Sequence, residues 1–260
     1  MDDFAGGKAL VYKSNNIYER RRRILREARK MISESGLSGF SLRELCARAG
    51  IAQKTLYNAF GGKENVIALA IRQYMSDFNE RTTFKFDLLT LEGRLERLIK
   101  VHSRNIQVRP YTTAIMAVYN SATADRAIRE TIRNISETGL RPYAEALRDK
   151  NAFAPGVTAD RFIYLSTTTV YAVLSDWCLG DLSDDQLVDR ISEAFLMLIC
   201  GCTVGEVQRE AARWLEDLRG NRPGWLALRK MAEVAPQELR AATRRTEATP
   251  KRKKPAKAVA

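Results

Sequence analysis

The chain has 260 residues, 45% of them hydrophobic, and a formal net charge of +12 at pH 7. The hydrophobic fraction is ordinary for a globular protein and is enough for a sizeable core. Its four cysteines fit neither a zinc motif nor a dense disulfide framework, and a single histidine excludes a site built from several histidines. The longest apolar run, about residues 194–205, is shorter than the roughly 18–20 residues that cross a bilayer. We therefore expect neither a bound metal nor a membrane-spanning segment.

The positive charge is concentrated at the two ends of the chain. Lys and Arg outnumber Asp and Glu in residues 1–63 and again in residues 240–260, whereas residues 64–239 are close to neutral. Such clusters are typical of a protein that binds a polyanion, although a well-solvated surface would give the same pattern. The N-terminus carries acidic residues and lacks the long apolar run of a secretory signal, so a reducing, cytoplasmic location is expected.

The first predicted element is a long amphipathic helix. Residues 1–15 are predicted to form a flexible arm, and the helix is predicted over residues 16–35. Its apolar residues recur at the i, i+4, i+7 spacing of one stripe, and Gly36 supplies a C-terminal stop. The basic cluster Arg20–Arg23 lies on its other faces, and we interpret most of that cluster as a solvated surface.

Two short helices follow, separated by a tight turn. Ser41-Leu42-Arg43-Glu44 has the spacing of a capping box, in which the serine and glutamate side chains each cap a backbone N–H. Gly50 ends this helix, Ile51 is a buried turn residue, and the next helix is predicted over residues 52–60. Two short helices joined by a glycine-containing turn form a helix-turn-helix.

The second short helix carries the side chains that a DNA-recognition helix needs. Leu56 and Phe60 are four residues apart and can anchor the helix on the core. Its other faces carry amides, hydroxyls and an ammonium group, which can contact base edges in the major groove. These side chains belong to Gln53, Lys54, Thr55, Tyr57 and Asn58.

The remainder of the chain has helical periodicity as well. Gly61-Gly62 precedes a longer helix that begins at Lys63. Further helices are predicted at about 91–109, 111–120, 124–149, 158–179 and 185–218, and a short one begins at Pro223. Residues 240–260 contain few large apolar side chains and are predicted to be a disordered basic tail. The chain is therefore predicted to be all-α, with a three-helix helix-turn-helix domain at 16–63 and a larger helical domain at 64–239.

A specific run of residues lies within positions 24–69. It comprises Ile24-Leu25, Ala28, Gly36, Phe40-Ser41-Leu42-Arg43-Glu44-Leu45, Ala49-Gly50-Ile51, Thr55-Leu56-Tyr57, Phe60 and Lys63-Glu64. On these residues the segment resembles the DNA-binding domain of the TetR family of transcriptional regulators. An isolated helix-turn-helix pattern is a weak signal, whereas the whole run is specific.

The resemblance implies double-stranded DNA as a partner, with no cofactor, and it implies DNA-binding roles for seven residues. These are Arg43, Gln53, Lys54, Thr55, Tyr57, Asn58 and Lys63. Tyr57 and Lys63 match residues that contact the phosphate backbone in the family. Taken alone, Tyr57 could be a core tyrosine and Lys63 a solvated lysine. Ala52 stands where the family often has a capping Ser or Thr, so no side-chain cap is expected on the recognition helix.

The resemblance also implies a homodimer and an unidentified small-molecule effector. The helices at 158–179 and 185–218 resemble the pair that forms a four-helix bundle with its twofold mate, and the alternative explanation of their apolar faces is burial within one subunit. The helices at 64–80 and 91–179 would enclose an effector pocket. Its candidate lining residues, each interpretable as ordinary core, are Phe78, His102, Tyr111, Met116, Tyr119, Tyr143, Phe162 and Tyr171.

Together these features predict a sequence-specific regulator, expected to be a repressor that an effector releases from a palindromic operator. One alternative is an architectural nucleic-acid binder that uses the basic ends without sequence specificity. Another is a helical enzyme that uses Cys200, Cys202 or His102. The sequence shows no nucleophile paired with a base, so an enzyme is not expected.

Overall fold

A computed structural model describes the backbone of residues 8–233 and the side chains of residues 17–233. This part of the chain forms eleven α-helices and contains no β-strand, which confirms the all-α prediction. The helices are α1 (Lys8–Ser35), α2 (Leu42–Ala49), α3 (Gln53–Phe60), α4 (Lys63–Arg81), α5 (Leu91–Gln107), α6 (Arg109–Tyr119), α7 (Arg126–Asp149), α8 (Ala159–Leu179), α9 (Asp184–Cys202), α10 (Gly205–Arg219) and α11 (Pro223–Ala232). The predicted tail at 240–260 lies outside the described residues.

The first helix begins earlier than expected. α1 starts at Lys8, so residues 8–15 are helical rather than part of a flexible arm, and residues 1–7 lie outside the described part of the chain. Residues 8–15 contain neither Gly nor Pro, and they follow Gly6-Gly7, where a helix is easily interrupted. The boundary prediction depended on apolar periodicity alone, and the unbroken apolar run at residues 9–12 does not show helical spacing.

One hydrophobic core joins the N-terminal helices to the body. Ile24 of α1, Leu45 of α2 and Leu56 of α3 belong to the same buried cluster as Tyr111 of α6 and Trp177 of α8. The predicted domain boundary between residues 63 and 64 coincides with the start of α4, but no gap in packing separates the two sides. The helix-turn-helix and the body are therefore packed against each other through one continuous core.

A second buried cluster holds the other end of the body together. It is built around the rings of Phe162, Phe195 and Trp225, with Phe162 and Phe195 at a centroid distance of 6.3 Å. The Trp225 indole Nε1 donates to the Asp189 carboxylate at 3.2 Å, which fixes α11 on α9. α11 begins with Pro223 in its first turn, as predicted.

The single helix predicted over 185–218 is wrong, because this stretch forms two helices, α9 and α10. The second helix of the predicted dimer pair is therefore shorter than expected. α9 ends at Cys202, Thr203 and Val204 are extended, and α10 begins at Gly205 with φ +72°. The break is stabilised from outside the helix, because Val204 N donates to Ala152 O at 2.8 Å and Ala154 N donates to Cys202 O at 2.9 Å. Two β-branched residues next to a glycine adopt this extended pairing readily.

None of the described helices is long and apolar enough to cross a membrane.

Candidate nucleic-acid interface and effector cavity

The turn between α2 and α3 has the geometry of a helix-turn-helix. Ser41 caps α2 by accepting from Glu44 N, as predicted, but the Glu44 carboxylate pairs with Arg48 and does not complete a capping box. Gly50 adopts φ +62°, a left-handed conformation that favours glycine, and its N–H bonds back to the end of α2. Ile51 N then donates to Cys46 O at 3.0 Å. These bonds set the entry angle of α3.

α3 separates an anchoring face from an exposed polar face. Leu56 and Phe60 are buried, with 0% and 5% of their surfaces exposed. Gln53, Lys54 and Asn58 are exposed, and Thr55 is half-buried. No acidic residue occurs in this helix, and Ala52 gives no side-chain cap, as predicted. The helix itself therefore carries no anion that would compete with a phosphate for its N-terminus.

Tyr57 and Lys63, which are predicted to bind phosphate, differ in exposure. Tyr57 is 52% exposed, which excludes the interpretation of this residue as plain core. Lys63 is half-buried in the first turn of α4, where its Nζ donates to Leu37 O at 3.4 Å and lies 5.8 Å from the Phe40 ring. Arg43, on α2, is exposed. All seven predicted DNA-binding residues thus lie on α2, α3 or the start of α4, and their contacts with DNA stay a prediction.

The basic cluster of α1 is more than a solvated face. The Arg21 guanidinium lies 5.0 Å from the Phe60 ring centroid, and Arg23 donates to Ala49 O at 3.2 Å. Arg22 pairs with Asp77 of α4 at 2.5 Å. Three of the four arginines therefore hold α1 against its neighbours, although Arg20, Arg21 and Arg23 remain exposed. Their positive charge still adds to the potential around α3.

A largely apolar cavity of about 160 Å³ lies in the body between α4, α5, α6, α7, α8 and α9. Four of the eight predicted lining residues border it, namely His102, Tyr111, Met116 and Tyr171. The other four do not: Tyr143 and Phe162 belong to the second core, Tyr119 packs its ring against Tyr171, and Phe78 is half-buried on the last turns of α4. Aromatic side chains fill core and line cavities alike, so aromatic type alone could not separate the two groups.

Burial controls the protonation of the groups around this cavity. Burial lowers the pKa of His102 to about 3, so its imidazole is neutral at pH 7, and its Nδ1 lies 3.2 Å from Asn105 Nδ2. Burial also raises the pKa of Tyr171, whose hydroxyl donates to Ile132 O at 2.7 Å. No Asp or Glu borders the cavity. The neutral imidazole has one nitrogen that can donate a hydrogen bond and one that can accept one.

Sequence reasoning missed several polar residues of the cavity, above all Arg94 of α5. Arg94 is 6% exposed and borders the cavity together with Ser166 and Thr167 of α8. A signal was available, because Arg94 follows Leu91 by three residues and precedes Leu98 by four, which places a charge within an apolar stripe. The structure also bears on metal binding. Among the described residues, no group of three or more His, Cys, Asp or Glu side chains is arranged so that it could hold a metal ion.

Comparison with known proteins assigns the N-terminal part of the chain. Residues 24–70 match the family model described as bacterial regulatory proteins, tetR family. A DNA-binding transcriptional repressor TetR from Mycobacteroides abscessus is 26% identical over 181 residues, which cover 68% of this chain and 91% of that protein. The aligned region therefore extends beyond the helix-turn-helix into the body.

Solved structures share the fold at low identity. A TetR-family transcriptional regulator from Rhodococcus sp. has a TM-score of 0.54 and 17% identity, covering 70% of this chain and 99% of that one. FadR from Bacillus subtilis, solved in complex with stearoyl-CoA, has a TM-score of 0.51 and 18% identity, covering 69% of this chain and 98% of that one. The helix-turn-helix geometry, the family model over residues 24–70 and the curated relative agree with one another, and on all three the chain is similar to TetR-family transcriptional regulators.

Proposed function

We propose that the protein is a sequence-specific repressor that binds operator DNA through α3 and leaves it when a small molecule occupies the cavity of the body. The observation that carries this function is the division of α3 into a buried face, at Leu56 and Phe60, and an exposed polar face free of acids. A helix of this kind fits the major groove, where amides and ammonium groups contact base edges and phosphates.

The DNA-binding roles follow from position and chemistry. Gln53 and Asn58 offer amides to base edges, and Thr55 offers a hydroxyl. Lys54 and Tyr57, both exposed, are placed to contact phosphates on either side of the groove. Lys63 and Arg43 lie on the flanking helices and extend the same surface.

The cavity supports the effector part of the proposal. Its lining is mainly apolar with a few polar groups, as is usual for a site that binds a small organic molecule. Tyr74 and Tyr111, whose rings lie 5.2 Å apart, border the cavity and lie close to Arg29 of α1. A ligand that moves either tyrosine would displace α1 and with it the recognition helix. FadR, which shares the fold, was solved with a ligand of its own.

Homodimerisation through α8 and α9 is part of the proposal, with α10 now a separate helix. Tyr164 and Leu179 of α8 are 54% and 78% exposed, and Met197 of α9 is 52% exposed. Large apolar side chains exposed on two neighbouring helices favour a partner surface. A twofold dimer would place two copies of α3 about 34 Å apart, on successive turns of a palindromic site.

The test is fluorescence anisotropy of the full chain on the DNA upstream of its own gene, with a scrambled duplex as control, at about 0.15 M salt. The proposal expects a preference of roughly 10³-fold or more for the native duplex. A Lys54→Ala/Tyr57→Ala double variant should bind the native duplex more weakly than the parent while keeping its circular dichroism spectrum and Tm. Equal binding to both duplexes by the unaltered chain would contradict operator recognition and favour an architectural nucleic-acid binder.

A further inference from the structure

The cavity contains a buried cation with no anion beside it. Arg94 is 6% exposed, its Nη1 donates to the Gly139 carbonyl at 2.7 Å, and its Nε is buried without a hydrogen-bond partner. Within residues 17–233, no carboxylate lies within 4.0 Å of this guanidinium. A buried charge is costly unless it is paired, and the hydrogen bond to one carbonyl leaves most of the guanidinium donors unused.

The route to Arg94 is also basic. A second cavity of about 710 Å³, between α4, α5, α7 and the segment at residues 82–90, shares Met75, Arg97 and Gly139 with the first. Three arginines border the two cavities, Arg72, Arg94 and Arg97, and no Asp or Glu borders either of them. Low-dielectric walls of one charge sign concentrate the field, so an anion is attracted into this space.

Hydroxyl groups without partners lie at the same end of the cavity as Arg94. Tyr171 bonds to Ser136 at 2.7 Å, and the rings of Tyr143 and Phe162 are 6.5 Å apart, so α7 and α8 run antiparallel in a defined register. That register places Ser166 and Thr167 opposite residues near 139–140, where Arg94 binds α7. The Ser166 and Thr167 hydroxyl oxygens are both buried without a hydrogen-bond partner. Each can donate one hydrogen bond to an anion.

The remaining walls suit a compact hydrocarbon. Leu98, Ile132, Val170 and Leu174 border the space between Arg94 and the far end, where Asn105 and Tyr111 lie. Arg94 and Asn105 are eleven residues apart on α5, which corresponds to a rise of about 16 Å. The cavity volume of about 160 Å³ is close to the roughly 150 Å³ of an apolar cavity that holds benzene.

We propose that the effector is a small organic monocarboxylate, with its carboxylate on Arg94, Ser166 and Thr167 and its compact apolar body among the aliphatic side chains of the cavity. A guanidinium pairs bidentately with a planar carboxylate, and one deep cation balances one negative charge. The arrangement disfavours a phosphate dianion, because Arg97 is engaged with Asn79 at 2.9 Å and lies over the Phe84 ring. This inference rests on the proposed function in that it takes the cavity to be the effector site.

The experiment compares acids with their neutral amides on the full-length protein in the absence of DNA. Isothermal titration would use straight-chain monocarboxylates of four to ten carbons, benzoate and phenylacetate, each paired with its own amide, and inorganic phosphate as a further probe. The proposal expects at least one acid to bind about tenfold or more tightly than its amide, since a charge-assisted pair is lost in the amide. If no acid outbinds its amide, or if phosphate outbinds every acid, the proposal is overturned.

Variants then locate the carboxylate. Arg94→Gln should abolish the preference for the acid, whereas Arg97→Gln, at the mouth of the cavity, should change it by less than about threefold. An unchanged preference in Arg94→Gln would overturn the assignment. If that variant does not fold, Arg94→Lys serves in its place, since Lys keeps the charge but loses bidentate pairing and should weaken acid binding.

A parallel titration in the presence of operator DNA separates this inference from the proposed function. Acid binding without DNA release would support the carboxylate site and contradict its role as effector site. Release of DNA by neutral amides as effectively as by acids would overturn the carboxylate inference and leave the repressor function intact.

Discussion

Arg29, on the first helix of the DNA-binding domain, lies 3.3 Å from the carboxylate of Asp77, on the helix that leads into the body. The same carboxylate accepts from Arg22 at 2.5 Å and from Gln73 at 2.8 Å. Arg29 also lies close to Tyr74 and Tyr111, and burial lowers its pKa. Asp77 is thus the point at which the helix-turn-helix, α4 and the cavity walls are joined.

We expect Asp77→Asn to destabilise the fold by about 1–3 kcal/mol, because two arginines lose their charged partner. Burial raises the pKa of Asp77, but hydrogen bonds from Gln73 and Arg22 and the charge of Arg29 outweigh it, and the net pKa is lowered. A carboxylate with a lowered pKa stabilises the fold fully above its unfolded pKa, about 3.9, and progressively less as the pH falls through its folded value. The Tm difference between the two proteins should therefore be constant above about pH 5 and shrink below pH 4.

The measurement is thermal unfolding between pH 3 and pH 7. Glu80→Gln is the matched control, since Glu80 lies on the same helix and forms no ion pair among the described residues, and it should leave Tm within about 1–2 °C of the parent. A Tm difference for Asp77→Asn that persists unchanged to pH 3 would contradict the electrostatic explanation.

Lys54 is expected to contact phosphate rather than bases. Lys54→Ala should weaken binding to operator and to random DNA by similar factors, and it should reduce the slope of log K against log salt by about 1. Anisotropy titrations at four or more salt concentrations measure both quantities. Lys30→Ala is the control, because Lys30 is exposed on α1 and already pairs with Glu27 at 3.0 Å, so its slope should stay close to that of the parent. A specific loss confined to operator DNA would instead assign Lys54 to base recognition.

Two glycines should respond to alanine for different reasons. Gly50 has φ +62°, but a Cβ there would contact nothing within 4 Å, so Gly50→Ala pays only backbone strain of about 1–2 kcal/mol. A Cβ on Gly93 would overlap the carbonyl of Asp87, whose backbone would have to move. Gly93→Ala should therefore be the more destabilising change, by about 1–3 kcal/mol or more. Urea unfolding measures the free energy of unfolding of both variants. A larger decrease for Gly50→Ala than for Gly93→Ala would contradict this prediction.

Local rules explain which features the sequence predicts. Caps, glycine turns and apolar spacing depend on neighbouring residues, so the helix-turn-helix, the buried anchors Leu56 and Phe60, and most helix positions could be predicted. The break at Thr203 could not, because it is stabilised by Ala152 and Ala154, about fifty residues earlier in the chain. The cavity was only half predicted, since whether a buried aromatic lines a space or fills it depends on the packing of several helices.

The role of Arg94, a polar residue, could not be predicted from the sequence either. Its position within an apolar stripe could have drawn attention to it, but its lack of a carboxylate partner is visible only in three dimensions. Glu96, two residues later, has the opposite arrangement. Its side chain is fully buried, yet it has a partner in Lys100 at 2.7 Å. Glu96 thus has an oppositely charged partner within the protein, whereas Arg94 has none among the described residues. Of these two residues, only Arg94 therefore indicates a bound ligand.

The Glu96–Lys100 pair is expected to hold the segment at residues 82–90 against α5. Glu96 also accepts from the backbone N–H groups of Lys85 and Phe86, each at 3.0 Å, and Lys100 donates to Thr83 O at 2.5 Å. Burial raises the pKa of Glu96, but the hydrogen bonds from Lys100, Phe86 and Lys85 outweigh it and the pKa is lowered, so the group is charged at neutral pH. Removing Glu96 would leave the buried Lys100 ammonium without its anion, and it would leave the backbone N–H groups of Lys85 and Phe86 without an acceptor.

We therefore expect Glu96→Ala to cost about 3–5 kcal/mol, measured by urea unfolding. The double variant Glu96→Leu/Lys100→Met should recover part of this loss, because it removes both charges together, but the freed N–H groups of Lys85 and Phe86 keep it below the parent. Hydrogen exchange at those two amides should accelerate in both variants while amides in α9 keep their protection. If the double variant were as unstable as Glu96→Ala, the loss would lie in packing volume and not in an unpaired charge, and the segment would be held by contacts other than this pair.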